Sequence, residues 1–294
     1  MTGPQGGPAT ARTIVGALTK DTRLCISLAG RPSNIGTRFH NHLYDELGLD
    51  FVYKAFTTTD IAAAVAGIRA LGIRGAGVSM PFKQACLDLV DHVDPSAAGI
   101  EAVNTIVNDD GVLRAFNTDY LAVAQLLRER GLRELIGAFA GAAGPAVAVA
   151  GSGGMATAVA AALRDSGFDR VLVVARNEAA GRALARRCGG TWAPELGAAR
   201  PGLLVNATPV GMAGGVEADE LPFPAEAVDA AAAVFDVVAV PSMTPFVRRA
   251  ADRGVPVVTG ADVIAVQAAE QFVLYTGVRP TAEQIRRASE WSRR

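Results

Sequence analysis

The chain is short of lysine. Its 294 residues carry 28 basic side chains, of which only Lys20, Lys54 and Lys83 are lysines. Cysteine is as sparse: Cys25, Cys86 and Cys188 are scattered, odd in number, and show neither metal-ligand spacing nor a disulfide framework. They are expected to be core thiols in a protein kept in a reducing cytoplasm. His40, His42 and His92 are the only histidines. His40 and His42 lie two apart on an expected helix and so face different ways; no metal is expected. The formal net charge is -1, with no basic run and no aromatic stacking motif, so no nucleic-acid partner is expected. The opening MTGPQGGPAT does not have the charged-then-apolar order of a signal peptide and reads as a flexible tail. One stretch, LIGAFAGAAGPAVAVAGSGGMA from Leu135, is free of charge for about a membrane span. Glycine and proline interrupt it repeatedly, so it reads as a floppy lead-in to a buried strand, and no membrane partner is expected.

Half of the chain is hydrophobic, ample core material for two ordinary domains at this length. Strand signals at 24–29, 51–56, 75–80 and 101–107 alternate with helical ones. Phe39, Leu43 and Leu47 form a stripe ended by Gly48, and a second helix runs from Asp60 as N-cap to Gly72. A long helix starts at Thr118 or Asp119 and stops at Gly131. The pattern restarts at AVAVAG and continues through RVLVVARN, GLLVNAT, AVFDVVA and VPVVTG. Two helices close the chain, one from Asp262 to Gly277 and one with a capping box from Thr281 to Gln284. Strands alternating with helices predict an α/β fold with mostly parallel sheets. The helix after Asp119 and the region near Gly260 are the expected crossings between two lobes.

The stretch VAVAGSGGMATA places Gly151-x-Gly153-x-x-Ala156 after a strand and at the opening of a helix. In that context it reads as a dinucleotide site. Gly151 permits the tight turn, Gly153 lets the backbone approach a pyrophosphate, and Ala156 allows close helix–strand packing. The next strand ends in Arg176 and Asn177, with no acid to hold a ribose hydroxyl. A guanidinium there favours the extra phosphate of NADP(H). Asn177 also reads as a helix cap, and Arg182 and Arg186 follow at helical spacing, where a solvated face explains them equally well.

Lys83 follows VSMPF directly, and Asp119 opens a helix 36 residues on. Taken alone Asp119 reads as an N-cap, and Asn104 as a strand-end amide. Together the three lie at segment ends facing one crevice, where open α/β sheets bind ligands. A lysine beside a carboxylate can pass a proton to and from an alcohol oxygen, which arginine cannot do because it keeps its proton. Trp192 and Trp291 read as packing residues.

These segments carry a resemblance. VSMPFK, EAVNTIV, NTDY, GSGGMA, NATPVGM and QAAEQFVLYTG are similar to motifs of the shikimate dehydrogenase family along nearly the whole chain, most of all its shikimate dehydrogenase-like branch. The resemblance implies an N-terminal α/β substrate lobe, residues 1–118 plus 262–294, and a Rossmann-type NADP lobe, residues 119–261. It implies Lys83 and Asp119 as the catalytic pair, with Asn34, Ser79, Asn104 and Gln267 on the substrate. Gly151, Ser152, Gly153, Gly154, Met155, Ala156, Arg176, Asn177, Thr208 and Gly260 are implied on the cofactor side. The implied reaction is NADP-dependent oxidation of the ring alcohol of shikimate, or of a similar cyclic hydroxy acid, by a cytoplasmic monomer or homodimer. Two positions depart from the family pattern. Asn34 and Gly36 stand where the family has a Ser-x-Ser pair for the substrate carboxylate, and Ala239 stands where it has a tyrosine. A quinate or amino-shikimate dehydrogenase, and an NADPH-binding sensor with little turnover, are the alternatives.

Overall fold

The computed structural model describes residues 18–139 and 146–294. The expected N-terminal tail and the centre of the alanine–glycine lead-in lie outside them. The first sheet contains β1 (Arg23–Ala29), β2 (Phe51–Thr57), β3 (Gly75–Val78), β4 (His92–Val93), β5 (Thr105–Asp109) and β6 (Val112–Phe116), in the order β2-β1-β3-β5-β6-β4. With it go α1 (Ile35–Glu46), α2 (Ile61–Ala70) and the short α3 (Pro95–Ala98). Asp60 caps α2 by accepting from the Ala63 N–H at 2.9 Å, as its position predicts.

Three of this sheet's five pairs are parallel: β1 with β2 and with β3, and β4 with β6. β5 runs antiparallel to both β3 and β6. The cause is local. Asp110 and Gly111 both have positive φ, at 52° and 92°, and join β5 to β6 as a two-residue hairpin. The strand expected over 101–107 begins only at Thr105, because Glu101 turns the chain with φ 55°.

α4 (Thr118–Glu129) and α5 (Leu132–Phe139) lead to the second sheet. Leu135 to Phe139, expected as part of the lead-in, thus lie in a helix. The second sheet contains β7 (Val147–Ala150), β8 (Val171–Val174), β9 (Thr191–Ala193), β10 (Leu203–Asn206), β11 (Ala233–Asp236) and β12 (Val257–Val258). All its pairs are parallel, in the order β12-β11-β10-β7-β8-β9. Counted from β7 this is the 3-2-1-4-5-6 order of doubly wound dinucleotide-binding sheets, and it switches direction between β7 and β10. α6 (Gly154–Asp165), α7 (Glu178–Arg187), α8 (Ala225–Ala230) and α9 (Pro245–Asp252) are its helices. β7, β10 and β11 are buried at every residue, as strands covered on both faces must be.

α10 (Gly260–Thr276) and α11 (Ala282–Ser292) return to the first sheet. α10 starts two residues earlier than expected: Thr259 is its N-cap, and Asp262 closes a capping box. The box expected from Thr281 to Gln284 opens α11. Arg74 Nε donates to the carbonyl of Tyr275 at 2.9 Å, and Arg287 pairs with Glu46 at 2.5 Å. His40 is fully buried, stacked on Tyr53 with ring centroids 4.4 Å apart, and burial pushes its pKa down to about 3. It is therefore a neutral packing residue. Trp291, read as a packing residue, is 46% exposed and stacks on His42. The three cysteines are all buried thiols. Among the described residues no helix is long and apolar enough to cross a membrane.

Gly75 shows how tightly α10 seats. A Cβ at that position would lie 2.3 Å from the ring of Tyr275, which is itself 1% exposed. Gly75→Ala is expected to destabilise the protein by about 1–3 kcal/mol, because neither the ring nor β3 has room to move. The shift in urea midpoint at unchanged slope measures it.

Candidate active site

The site forms where backbone hydrogen bonds tie three segments together beyond the end of β3. Val78 N–H donates to the Asn104 carbonyl at 2.7 Å, and Val103 N–H donates to the Lys83 carbonyl at 2.8 Å. Asn104 N–H donates to the Phe116 carbonyl at 3.1 Å, one residue before the start of α4's cap. These links fix Lys83, Asn104 and Asp119 relative to one another independently of their side chains.

The side chains then meet. Lys83 Nζ donates to Asp119 Oδ2 at 2.6 Å, with the lysine side chain 30% exposed and the aspartate 13%. Asp119 is not the cap of α4. Asn117 takes that place, accepting from the Tyr120 N–H at 3.0 Å, which leaves Asp119 in the first turn with its carboxylate free for the lysine. The partial positive charge of the helix N-terminus further favours a carboxylate there.

Asn104 is 3% exposed, and its amide is oriented by its partners. Oδ1 accepts from Thr118 N–H at 2.7 Å, Thr118 Oγ1 at 3.1 Å and Thr105 Oγ1 at 2.9 Å. A backbone N–H can only donate, so that atom is the oxygen. Nδ2, the donor end, is buried without a partner among the described residues. A buried donor left unpaired costs about 1–3 kcal/mol, which a ligand oxygen would relieve. Gln267 reaches the same cluster through Thr118, donating from Nε2 to Thr118 Oγ1 at 3.0 Å. Gln271, one turn further along α10, escaped the sequence reading. Its Nε2 donates to Thr105 Oγ1 at 2.9 Å and to the Asn104 carbonyl at 3.2 Å. The i, i+4 spacing of the two glutamines on one helix face was the available signal.

Ser79 lies exposed just past β3, its N–H bonded to the Leu28 carbonyl at 2.9 Å. Asn34 is the N-cap residue of α1 but makes no side-chain cap bond. It lines a cavity of about 350 Å³ together with Ala239. The two departures from the family pattern therefore share one space.

On the second sheet Gly151 has φ 112°, and a Cβ there would lie 2.8 Å from the Ala207 carbonyl, so only glycine fits between the ends of β7 and β10. Gly153 and Gly154 are exposed and face open space, and Gly153 caps α6 without a side chain. The first N–H groups of α6 thus point to where an anion can lie. Ser152 and Met155 are half-buried beside them, and Ala156 is fully buried under the turn. Arg176 is 84% exposed past the end of β8, 3.3 Å from Glu217. Asn177 caps α7 through the Ala180 N–H at 3.0 Å. Arg182 pairs with Glu178 and covers the ring of Trp192, which makes it a surface brace. Thr208 Oγ1 donates to Asn206 Oδ1 at 2.6 Å, so its hydroxyl proton is already used within the turn. Gly260 is explained by packing: a Cβ there would lie 2.2 Å from the Val238 carbonyl. Among the described residues no cluster of His, Cys, Asp or Glu could hold a metal ion.

Two α/β lobes, one of them doubly wound with a glycine turn at its switch point, and a lysine–carboxylate pair beside them define a two-lobed dehydrogenase. The sequence pattern of the shikimate dehydrogenase substrate binding domain matches residues 34–106. A shikimate dehydrogenase-like protein of Haemophilus influenzae is 51% identical over 276 residues, 94% of this chain and 98% of its own. A solved shikimate 5-dehydrogenase-like protein superposes with a TM-score of 0.89 at 50% identity, over 94% of this chain and 100% of that one. The shikimate 5-dehydrogenase of Thermus thermophilus, solved with NADP(H) and shikimate, gives 0.78 at 32% identity over 92% and 99%. The chain belongs to the shikimate dehydrogenase family.

A second buried acid ends β11 in the second sheet. Asp236 is fully buried at the end of β11 and accepts from Asn206 Nδ2 at 3.0 Å, Val238 N–H at 3.0 Å and Thr244 Oγ1 at 2.6 Å. Burial pushes its pKa up to about 6, against these donors, which lower it. An unfolded aspartate titrates near roughly 3.9. The folded state therefore holds the extra proton between those values, so the stability this group contributes is present at acid pH and lost as pH rises through about 6. Asp236→Asn is expected to remove that loss: its stability relative to the parent rises between pH 4 and pH 7, measured as urea midpoints across the range.

Proposed function

We propose that the protein is an NADP-dependent dehydrogenase that reversibly oxidises the ring alcohol of shikimate or a shikimate-like cyclic hydroxy acid. The observation that carries this is the Lys83–Asp119 pair at 2.6 Å, set beside a buried amide donor with no partner of its own. In the oxidation the neutral amine of Lys83 takes the proton of the ring hydroxyl and becomes the ammonium, and in the reduction that ammonium returns a proton to the carbonyl oxygen. Asp119 holds the ammonium in place and balances its charge. Asn104 Nδ2 donates to a ring oxygen, and Gln267 fixes that corner through Thr118. Asn34 and Ser79 line the outer part of the substrate space.

The residues of the second lobe fit NADP(H). The open backbone at Gly153 and Gly154 and the α6 N–H groups receive the pyrophosphate, packed on Gly151 and Ala156, with Ser152 and Met155 beside it. Arg176, with the Asn177 cap behind it, receives the additional phosphate. Thr208 and Gly260 shape the two loops opposite. When bound, the nicotinamide accepts or returns the hydride. We assign residues 1–118 and 262–294 to the substrate lobe and 119–261 to the cofactor lobe.

Lys83→Ala is expected to lower turnover by about 10²–10⁴-fold with NADPH affinity nearly unchanged. The rate of NADP⁺ reduction with shikimate, then quinate, measures the first, and fluorescence titration with NADPH the second; an unaltered rate removes Lys83 from the reaction. A charged hydrogen bond to phosphate contributes about 1.5–3 kcal/mol. Arg176→Ala is therefore expected to raise KM for NADP⁺ about tenfold or more while leaving KM for NAD⁺ the same. Parallel kinetics with the two cofactors decide it.

A further inference from the structure

The cavity that joins Asn34 to Ala239 has a chemical character of its own. It measures about 350 Å³ and lies between the N-terminus of α1, the loop after β11 and the end of α11. The exposed Arg38 and Arg293 and half-buried Ser242 are among its lining residues, and no Asp or Glu is. Arg38 has no hydrogen-bond or ion-pair partner for its side chain among the described residues. Arg293 donates only to the Ser289 hydroxyl and, at 3.4 Å, to the Ala261 carbonyl. Some surface arginines are held by acids, as Arg279 is by Glu270 and Arg286 by Glu283 and Glu290. Among the described residues neither Arg38 nor Arg293 is paired with a carboxylate.

Two backbone contacts relate the elements at the cavity's rim to those that carry the Lys83 site. Gly30, in the loop leading to α1, donates its N–H to the Met80 carbonyl at 3.2 Å, three residues before Lys83. Gly260 sits against the backbone of Val238 and Ala239, and its helix carries Gln267. The volume corresponds to on the order of ten waters, far more than a carboxyl group directly on a ring would fill. Guanidiniums bind carboxylate and phosphate oxygens in pairs of parallel hydrogen bonds.

We propose that this cavity receives a dianionic arm of the substrate, with Arg38 and Arg293 as the residues that select for it. The inference rests on the reading of Lys83 and Asp119 as the pair that handles the ring alcohol. The substrate is then a cyclic hydroxy acid extended at its acid end by two carboxylates or a phosphoryl group. The absence of a side chain beyond Cβ at Ala239 keeps the entrance open.

The test is calorimetric titration of the enzyme saturated with NADPH, which cannot oxidise an alcohol. The probes are shikimate, its neutral amide, its amide with aspartate and its amide with phosphoethanolamine. One of the two dianionic probes is expected to bind at least tenfold more tightly than shikimate, and which one does so tells a dicarboxylate from a phosphoryl group. Arg38→Ala and Arg293→Ala are each expected to lose most of that advantage while binding the neutral amide as the parent does, and Arg38→Lys to retain part of it. Equal affinity for all four probes, or an advantage that survives both alanine variants, overturns the proposal. Turnover separates the two readings. If shikimate is oxidised in a Lys83-dependent way but the dianions bind no better, only the arm is wrong. If the dianions bind tightly through the arginines but none of the four probes is oxidised with NADP⁺, the ring-alcohol reading is wrong.

Discussion

The contact between Lys83 and Asp119 joins two parts of the chain that do not otherwise share an element. Lys83 hangs on a loop of the first sheet, and Asp119 opens the helix that crosses toward the second. A half-buried lysine held without a partner would cost more than it returns, so the arrangement depends on the carboxylate being delivered to within hydrogen-bond reach. Backbone bonds from Val78, Val103 and Asn104 deliver it, by tying the loop, the strand-end amide and the helix start to one another. The Asn104–Thr118–Gln267 chain of hydrogen bonds then brings α10 to the same point. Disturbing any of these links alters the proposed proton pair without touching it.

Much of this was legible in the sequence, for stated reasons. The glycine turn after β7 is a local pattern whose geometry the residues dictate, and Lys83 stands out because the chain otherwise uses arginine. The capping residues Asp60, Asn177 and Thr281 act within three residues of themselves. What failed to show was mostly non-local, or was a local cue passed over. The antiparallel β5–β6 pair of the first sheet follows from Asp110-Gly111, an Asp-Gly pair between two short apolar runs, which was there to be read as a hairpin. Asp119 as N-cap was wrong by two residues because Asn117 competes for the same role and wins. Asp236 and Arg293 become meaningful only when distant segments pack, and no periodicity announces that; for Gln271 the one local cue was its i, i+4 spacing from Gln267.

The two positions that depart from the family pattern gain sense from being neighbours. Asn34 alone reads as an exchange of one polar group for another, and Ala239 alone as a lost ring. Both line one cavity, so the two changes meet in a single space. The proton pair and the glycine turn meanwhile stay within the family pattern. On the proposed reading, chemistry and recognition occupy separable parts of the molecule, the first fixed by backbone ties and the second carried by side chains that line the cavity.

The return of α10 and α11 to the first sheet has a bearing on how the protein comes into being on the ribosome. Gln267, Phe272 and Tyr275 fill the substrate side of the core, yet they are synthesised after every strand of the second sheet. The first sheet therefore waits, with the groove at Gly75 uncovered, while the whole of its neighbour is made. The cofactor half can close as soon as β12 emerges. The nascent chain can complete its second sheet before the first is covered, and α10, made after every strand of that second sheet, is the helix that closes the groove at Gly75.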